Sequence, residues 1–210
     1  RVWSVSGHRG APRDVVVWLR KRIPAQAGLG GGSSDGAAAL RAFGRLWRVD
    51  EARLRQIATG LGADVPYFFE GGAVLGLDRG DQLFALAEPA RRWVALVVPA
   101  FGVSTRDAFG WWDALHLARP EPRQARASRR PAGLDRYQTG NDLERAVVAH
   151  HPEIRKLVRA FTAAGAIHAA MSGSGSAVFG LFDARAQAVR AAAAVSGRAR
   201  WTWVGRTLNR

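Results

Sequence analysis

The 210-residue chain contains no cysteine. Disulfides, thiolate metal sites and cysteine nucleophiles are therefore excluded, which suits a cytoplasmic enzyme. It also has no apolar run near the ~20 residues that a membrane-spanning helix needs, Trp93 to Ala100 being too short. Residues 1–13 mix Gly, Arg and Ser without the apolar core of a secretory signal. Acidic residues are scarce, 17 Asp and Glu against 31 Lys and Arg, and only Lys21 and Lys156 among the basic residues are lysines. The resulting net charge of +14 raises nucleic-acid binding as a possible role. The arginines, however, are spread along the chain. Their densest cluster, Arg119 to Arg136, is Pro-rich and has no interleaved aromatic residues for base stacking, so it reads as a solvated loop. A chain of this length can bury roughly 70% of its unfolded surface, enough for one compact domain or two small ones.

Glycine, by contrast, is concentrated. Four glycines fall within five residues in Pro24-Ala25-Gln26-Ala27-Gly28-Leu29-Gly30-Gly31-Gly32-Ser33-Ser34-Asp35, which runs straight into Gly36-Ala37-Ala38-Ala39-Leu40. Successive backbone N–H groups without Cβ interference can converge on an anion, and a following helix adds unpaired donors and its positive dipole end. Ser33, Ser34 or Asp35 is expected to cap that helix. A flexible linker is the alternative, but the stretch lies between the β-branched run Val15 to Leu19, read as a strand that carries on to Lys21, and an amphipathic segment. The spacing is not that of a Walker loop, because Ser33 follows Gly32 where lysine is required. Nor is it the dinucleotide fingerprint, since the residue three past Gly30 is Ser33 and three past Gly32 is Asp35.

Periodicity places the remaining elements. Ala39, Leu40, Phe43, Leu46 and Trp47 lie at helical spacing, and Asp50 caps a second helix carrying Leu54, Ile57, Ala58 and Leu61, ended by Gly60 and Gly62. Ala73 to Leu77 and Trp93 to Pro99 read as strands, with Pro89 as the division between residues 1–89 and 90–210. Asn141 caps a helix over Asp142 to His150, and Pro152 starts another whose Ile154, Leu157, Val158 and Phe161 share a face until Gly165. Ala177 to Phe182 reads as a strand, Ala184 to Val195 as a helix and Trp201 to Val204 as a final strand. The fold class is α+β, helices packed on mostly antiparallel sheet. His150 and His151 diverge on a helix and have no carboxylate at ligand spacing, so they read as a surface helix end rather than a metal site.

The pattern P-x-x-x-G-L-G-G-G-S-S-D-x-A-A resembles the ATP loop of the GHMP kinases, the family of galactokinase, homoserine kinase and mevalonate kinase. Within it the triple glycine before Ser-Ser is most similar to the branch that phosphorylates 4-diphosphocytidyl-2-C-methyl-D-erythritol. Three further landmarks follow in order: Leu61-Gly-Ala-Asp64-Val-Pro66-Tyr-Phe68, Asn141-Asp142-Leu143-Glu144, and Met171-Ser172-Gly173-Ser174-Gly175-Ser176. The resemblance implies two GHMP domains, the first of the ribosomal protein S5 domain 2-like type. It implies ATP held by Pro24 to Ser34, Mg2+ met by Ser33 or Ser34, and Asp64 as the acid–base residue. It also implies a small-molecule acceptor lying against Gly173, Ser174 and Gly175, with its cytidine end near Thr105 and Phe109. For Phe109, burial in the core is the alternative.

The family's first motif, a lysine in an early strand followed by a Tyr-His pair that grips cytosine, has no counterpart in residues 1–13. Losing that lysine would remove a positive group near the acceptor oxygen. The expectation is accordingly a truncated or degenerate copy with an incomplete N-terminal sheet and poor activity. Another GHMP small-molecule kinase and a basic nucleic-acid-binding protein are the remaining alternatives.

Overall fold

Capping and apolar spacing account for the helices of the first compact unit, which comprises Arg1–Ile23, Gly30–Arg91 and the C-terminal tail. The computed structural model describes residues 1–10, 12, 14–117 and 140–209, so the Arg119 to Arg136 cluster lies outside the described residues. The Asp50 carboxylate accepts a 2.8 Å hydrogen bond from Arg53 N–H and starts α3 (Glu51–Thr59). Leu54, Ile57 and Ala58 of α3 pack on Ala37 and Leu40 of α2 (Gly31–Leu46) and on Val2 of α1 (Val2–Val5). Val65 and Phe69 complete this core, Phe69 from the single turn α4 (Tyr67–Glu70). An antiparallel hairpin follows, β1 (Val74–Leu77) paired with β2 (Gln82–Ala85), Val74 opposite Ala85 and Leu77 opposite Gln82. At its turn the Arg79 guanidinium donates a 2.7 Å hydrogen bond to Asp81 and holds that carboxyl below its ordinary value.

The second unit consists of Arg92–Thr207 together with the distant segment Pro24–Leu29. The division of the sequence into 1–89 and 90–210 would have assigned residues 24–29 to the N-terminal half. The unit is built on a four-stranded antiparallel sheet in the order β4-β5-β3-β6, from β3 (Trp93–Val98), β4 (His168–Met171), β5 (Val178–Phe182) and β6 (Trp201–Arg206). Trp93 lies opposite Phe182 on β5, and Val98 opposite Trp201 on β6. Val178, Gly180 and Phe182 are the buried positions of β5, the period of two that a half-covered strand requires. The covering helices are α7 (Glu153–Ala163) and α8 (Arg185–Val195), the first against β4 and β5, the second against β3, β5 and β6. Phe161 of α7 is fully buried and meets Phe182 edge-on at 6.2 Å, in a space that a Cβ on Gly180 would enter. The remaining helices, α5 (Thr105–Leu117) and α6 (Asp142–His150), pack on each other. His150 stacks on Trp111 at 4.2 Å and His151 on Phe101 at 4.3 Å, so the histidine pair joins elements rather than merely ending a helix.

Three expectations are corrected. Val15 to Leu19 forms no strand; Trp18 is 92% exposed, and β propensity without a partner ladder leaves the segment irregular. Lys21 accordingly lies on irregular chain as well. The glycine-rich helix begins at Gly31, so Ser33, Ser34 and Asp35 occupy its first turns and the N-cap is Gly30, with φ 63° and no side-chain cap. Leu61 lies past the end of α3 and is exposed. The sequence reading also omits α1, α4, α5, β2 and β4. No helix among the described residues is long and apolar enough to cross a membrane.

Two outcomes follow from this packing. Phe161→Ala lowers the unfolding free energy by about 3–5 kcal/mol, read from urea denaturation. Arg79→Ala raises the titration midpoint of Asp81 toward that of an ordinary aspartate, read from its carboxyl carbon resonance. Because the folded value is depressed, the Arg79–Asp81 pair stabilises the hairpin above the unfolded aspartate's pKa, and that contribution is lost as pH falls through the folded one.

Candidate functional site

The glycine-rich stretch is divided between the two units, and each part has its own surroundings. In the second unit, residues 24–29 lie against the turn that joins β4 to β5. Ala27 C=O accepts from Ala177 N–H at 3.0 Å, and Gln26 C=O accepts from Ser176 N–H at 3.3 Å and from Val103 N–H at 3.1 Å. Gly28 C=O accepts a 2.8 Å bond from the Ser172 hydroxyl. This approach requires glycine at 28, where φ is 68°: a Cβ would collide with Ser172 C=O and lie 2.8 Å from Gly175 N. Ala27, Ser176 and Ala177 are buried beneath the junction, and Ser176 donates its hydroxyl proton to Phe101 C=O at 2.7 Å. Ala25 C=O meets the Arg200 guanidinium at 3.5 Å, while Leu29 packs with Ala27, Val98 and Trp201.

Of the expected acceptor-side residues, Gly173, Ser174 and Gly175 form this turn, and Thr105 at the start of α5 joins them through a 3.2 Å hydroxyl–hydroxyl contact with Ser174. Phe109, one helical turn beyond Thr105, is 52% exposed. Core burial therefore does not account for it.

In the first unit the chain leaves Gly30 in a left-handed conformation and enters α2 at once. Its hydrogen-bond ladder begins with Ser34 N–H donating to Gly30 C=O at 2.9 Å, which leaves the N–H groups of Gly31, Gly32 and Ser33 ahead of the ladder. Those donors lie at the positive end of the helix dipole, an arrangement that favours negative charge. Lys21 adds a cation beside it, ion-paired with Asp35 and 3.7 Å from where a Cβ on Gly31 would stand. Asp64 occupies the exposed turn before α4, and its carboxylate accepts no hydrogen bond from the described residues. Its neighbours anchor that turn. Val65 is buried against Gly36 of α2, and the Phe68 ring lies 3.1 Å from where a Cβ on Gly30 would be, so the Asp64 turn runs alongside the glycine-rich entrance to α2. Phe69 is held between Arg41 and Arg55, their guanidinium carbons 4.7 and 5.6 Å from its ring centre. The described residues contain no cluster of three or more His, Asp or Glu suited to a metal ion.

Comparison with known proteins bears on this geometry. Residues 3–72 match the family description "GHMP kinases N terminal domain", and residues 124–199 match "GHMP kinases C terminal". A 4-diphosphocytidyl-2-C-methyl-D-erythritol kinase of Chlorobaculum tepidum is 40% identical over 204 residues, covering 94% of this chain and 71% of its own. The chain belongs to the GHMP kinase family. The protein of the same name from Anaeromyxobacter dehalogenans strain 2CP-C is 40% identical over 195 residues, and this chain spans 61% of that relative's length. A crystal structure of 4-(cytidine 5'-diphospho)-2C-methyl-D-erythritol kinase superposes with a TM-score of 0.68 at 34% identity, covering 89% of this chain and 68% of the other.

The sequence reading missed the Lys21–Asp35 pair and the Phe68 contact with Gly30. It also missed the reach of Asn141 and Glu144 to the β4–β5 turn. The Asn-Asp-Leu-Glu landmark was the only signal for the last, and it was read as a helix start alone.

Glycines 28 and 32 separate by substitution. Gly28→Ala forces the two backbones apart and costs about 1–3 kcal/mol in urea unfolding. Gly32, with nothing within 4 Å of its Cβ position, accepts alanine with a gain of up to about 1 kcal/mol.

Proposed function

We infer that this GHMP kinase transfers the γ-phosphoryl group of ATP to the 2-hydroxyl of 4-diphosphocytidyl-2-C-methyl-D-erythritol, a step of isoprenoid biosynthesis in the cytoplasm. The observation that carries the reading is the entrance to α2: a left-handed Gly30 followed by three N–H groups ahead of the helical ladder, in a stretch that resembles the family's ATP loop. The acceptor is inferred from the relatives named above, which at about 40% identity bear that substrate in their names.

Phosphoryl transfer depends mainly on holding the phosphates, neutralising charge and aligning an acceptor hydroxyl. On this reading Pro24 to Ser34 hold the nucleotide, the phosphates taking the N–H groups of Gly31, Gly32 and Ser33 that stand ahead of the helical ladder, and Lys21 exchanges Asp35 for phosphate oxygens. Mg2+ takes oxygen ligands and binds phosphates with only one or two protein groups, so the hydroxyls of Ser33 and Ser34 fit it without a carboxylate cage. When bound, it neutralises charge developing on the phosphates. Asp64, free of intramolecular partners among the described residues, receives the acceptor's hydroxyl proton. Gly173, Ser174 and Gly175 line the acceptor, with Thr105 fixing the Ser174 hydroxyl and the exposed Phe109 ring offering a face to the cytosine.

The test is ADP release from ATP and Mg2+ with 4-diphosphocytidyl-2-C-methyl-D-erythritol, mevalonate or homoserine as acceptor. Turnover only with the first is expected; release with another acceptor, or with none of the three, overturns the assignment. Asp64→Asn is expected to lower kcat by about 10²–10⁴-fold with the KM for ATP little changed.

A further inference from the structure

The β4–β5 turn is gripped from both sides within the second unit. On one side it carries the Gln26–Gly28 backbone described above. On the other lies the start of α6, where a single side chain makes three hydrogen bonds. Asn141 Oδ1 accepts from Leu143 N–H at 3.0 Å and caps the helix. Its Nδ2 donates to Met171 C=O at 3.0 Å and to Gly173 C=O at 2.6 Å. Glu144, one turn on, accepts from Met171 N–H at 2.8 Å through Oε2. The two side chains thus bind both backbone groups of Met171, the last residue of β4, and the carbonyl of Gly173 at the tip of the turn.

A helix cap needs only the acceptor oxygen, and aspartate or serine serves as well as asparagine. The two donated bonds are what asparagine alone adds: an amide carries both donors and acceptor, whereas a carboxylate is acceptor-only. The carbonyls they engage belong to a turn whose glycines hold φ values of 52° and 85° and could otherwise relax into many conformations. Ser172 and Gly175, between and beside those carbonyls, are the groups that meet Gly28.

We propose that Asn141 is a positioning residue for the nucleotide loop: its amide fixes the β4–β5 turn, and the turn fixes the Gln26–Gly28 backbone in the conformation that receives phosphate. Glu144 supports it by holding Met171. The nucleotide part of this inference rests on the kinase reading; the clamp itself does not.

Asn141→Asp keeps the cap acceptor and removes both donors, so the fold is retained; Asn141→Ala removes all three bonds. Two measurements separate the issues. Hydrogen exchange is read at the N–H groups of Gly175, Ser176 and Ala177, which bond Ser172, Gln26 and Ala27 C=O, with Leu143 N–H as the control for the cap. In Asn141→Asp the three exchange about tenfold faster while Leu143 stays protected; in Asn141→Ala all four accelerate. Calorimetric titration with ATP then shows a Kd about tenfold weaker for Asn141→Asp, in a protein that still unfolds cooperatively. Unchanged exchange in Asn141→Asp overturns the clamp even if ATP binds normally. Faster exchange with an unchanged Kd overturns the positioning role. Faster exchange in a protein whose unsubstituted form has no affinity for ATP leaves the clamp standing, removes its nucleotide role and defeats the kinase reading.

Discussion

Close approach of two backbones, at Gly28 and at Ser172 to Gly175, is the constraint from which the second unit's site follows. Backbone segments far apart in sequence rarely touch without side chains between them, because each Cβ keeps a neighbouring chain at a distance. Here the intervening side chain is absent on one strand, and a hydroxyl and two N–H groups from the other satisfy the carbonyls of residues 26–28. The buried Ser176 and Ala177 seal the junction from below, with every buried side-chain polar atom of the described residues paired. A loop built this way has its acceptors already used at the junction.

The entrance to α2 solves a complementary problem in the first unit. A side-chain cap would occupy one of the free N–H groups; Gly30 provides the turn into the helix by its left-handed conformation alone and leaves them all available. Phe68 covers the one face where Gly30 has no side chain, and the same short segment carries Asp64. The residue types around the glycine stretch thus serve exposure of donors rather than local stability. That is the expected signature of a place where a ligand, not the protein, completes the hydrogen bonding.

Local signals explain what was legible in the sequence. Asp50 and Asn141 are caps with strong side-chain preferences, and the apolar spacing of α3, α7 and the strands β3 and β5 matches their buried faces. The glycine-rich motifs were recognisable because their composition has few other uses. Elements with mixed or short patterns escaped: α5 carries Gly110 and two adjacent tryptophans, β4 is four residues of His-Ala-Ala-Met, and β2 alternates too briefly. Val15 to Leu19 misled in the opposite sense, its β-branched composition stating a preference that only a neighbouring strand can realise. The start of α2 was placed late because Gly31 and Gly32 are poor helix formers, and the dual bonding of Asn141 depends on a partner 30 residues away.

The membership of residues 24–29 in the second unit bears on how such a chain can be taken apart or recombined. A boundary drawn through the linear sequence separates a hexapeptide from the surface that shapes it, so the C-terminal half is not a self-contained module. Substitutions at 26–28 and at 172–177 act on one backbone junction although more than 140 positions lie between Gly28 and Ser172.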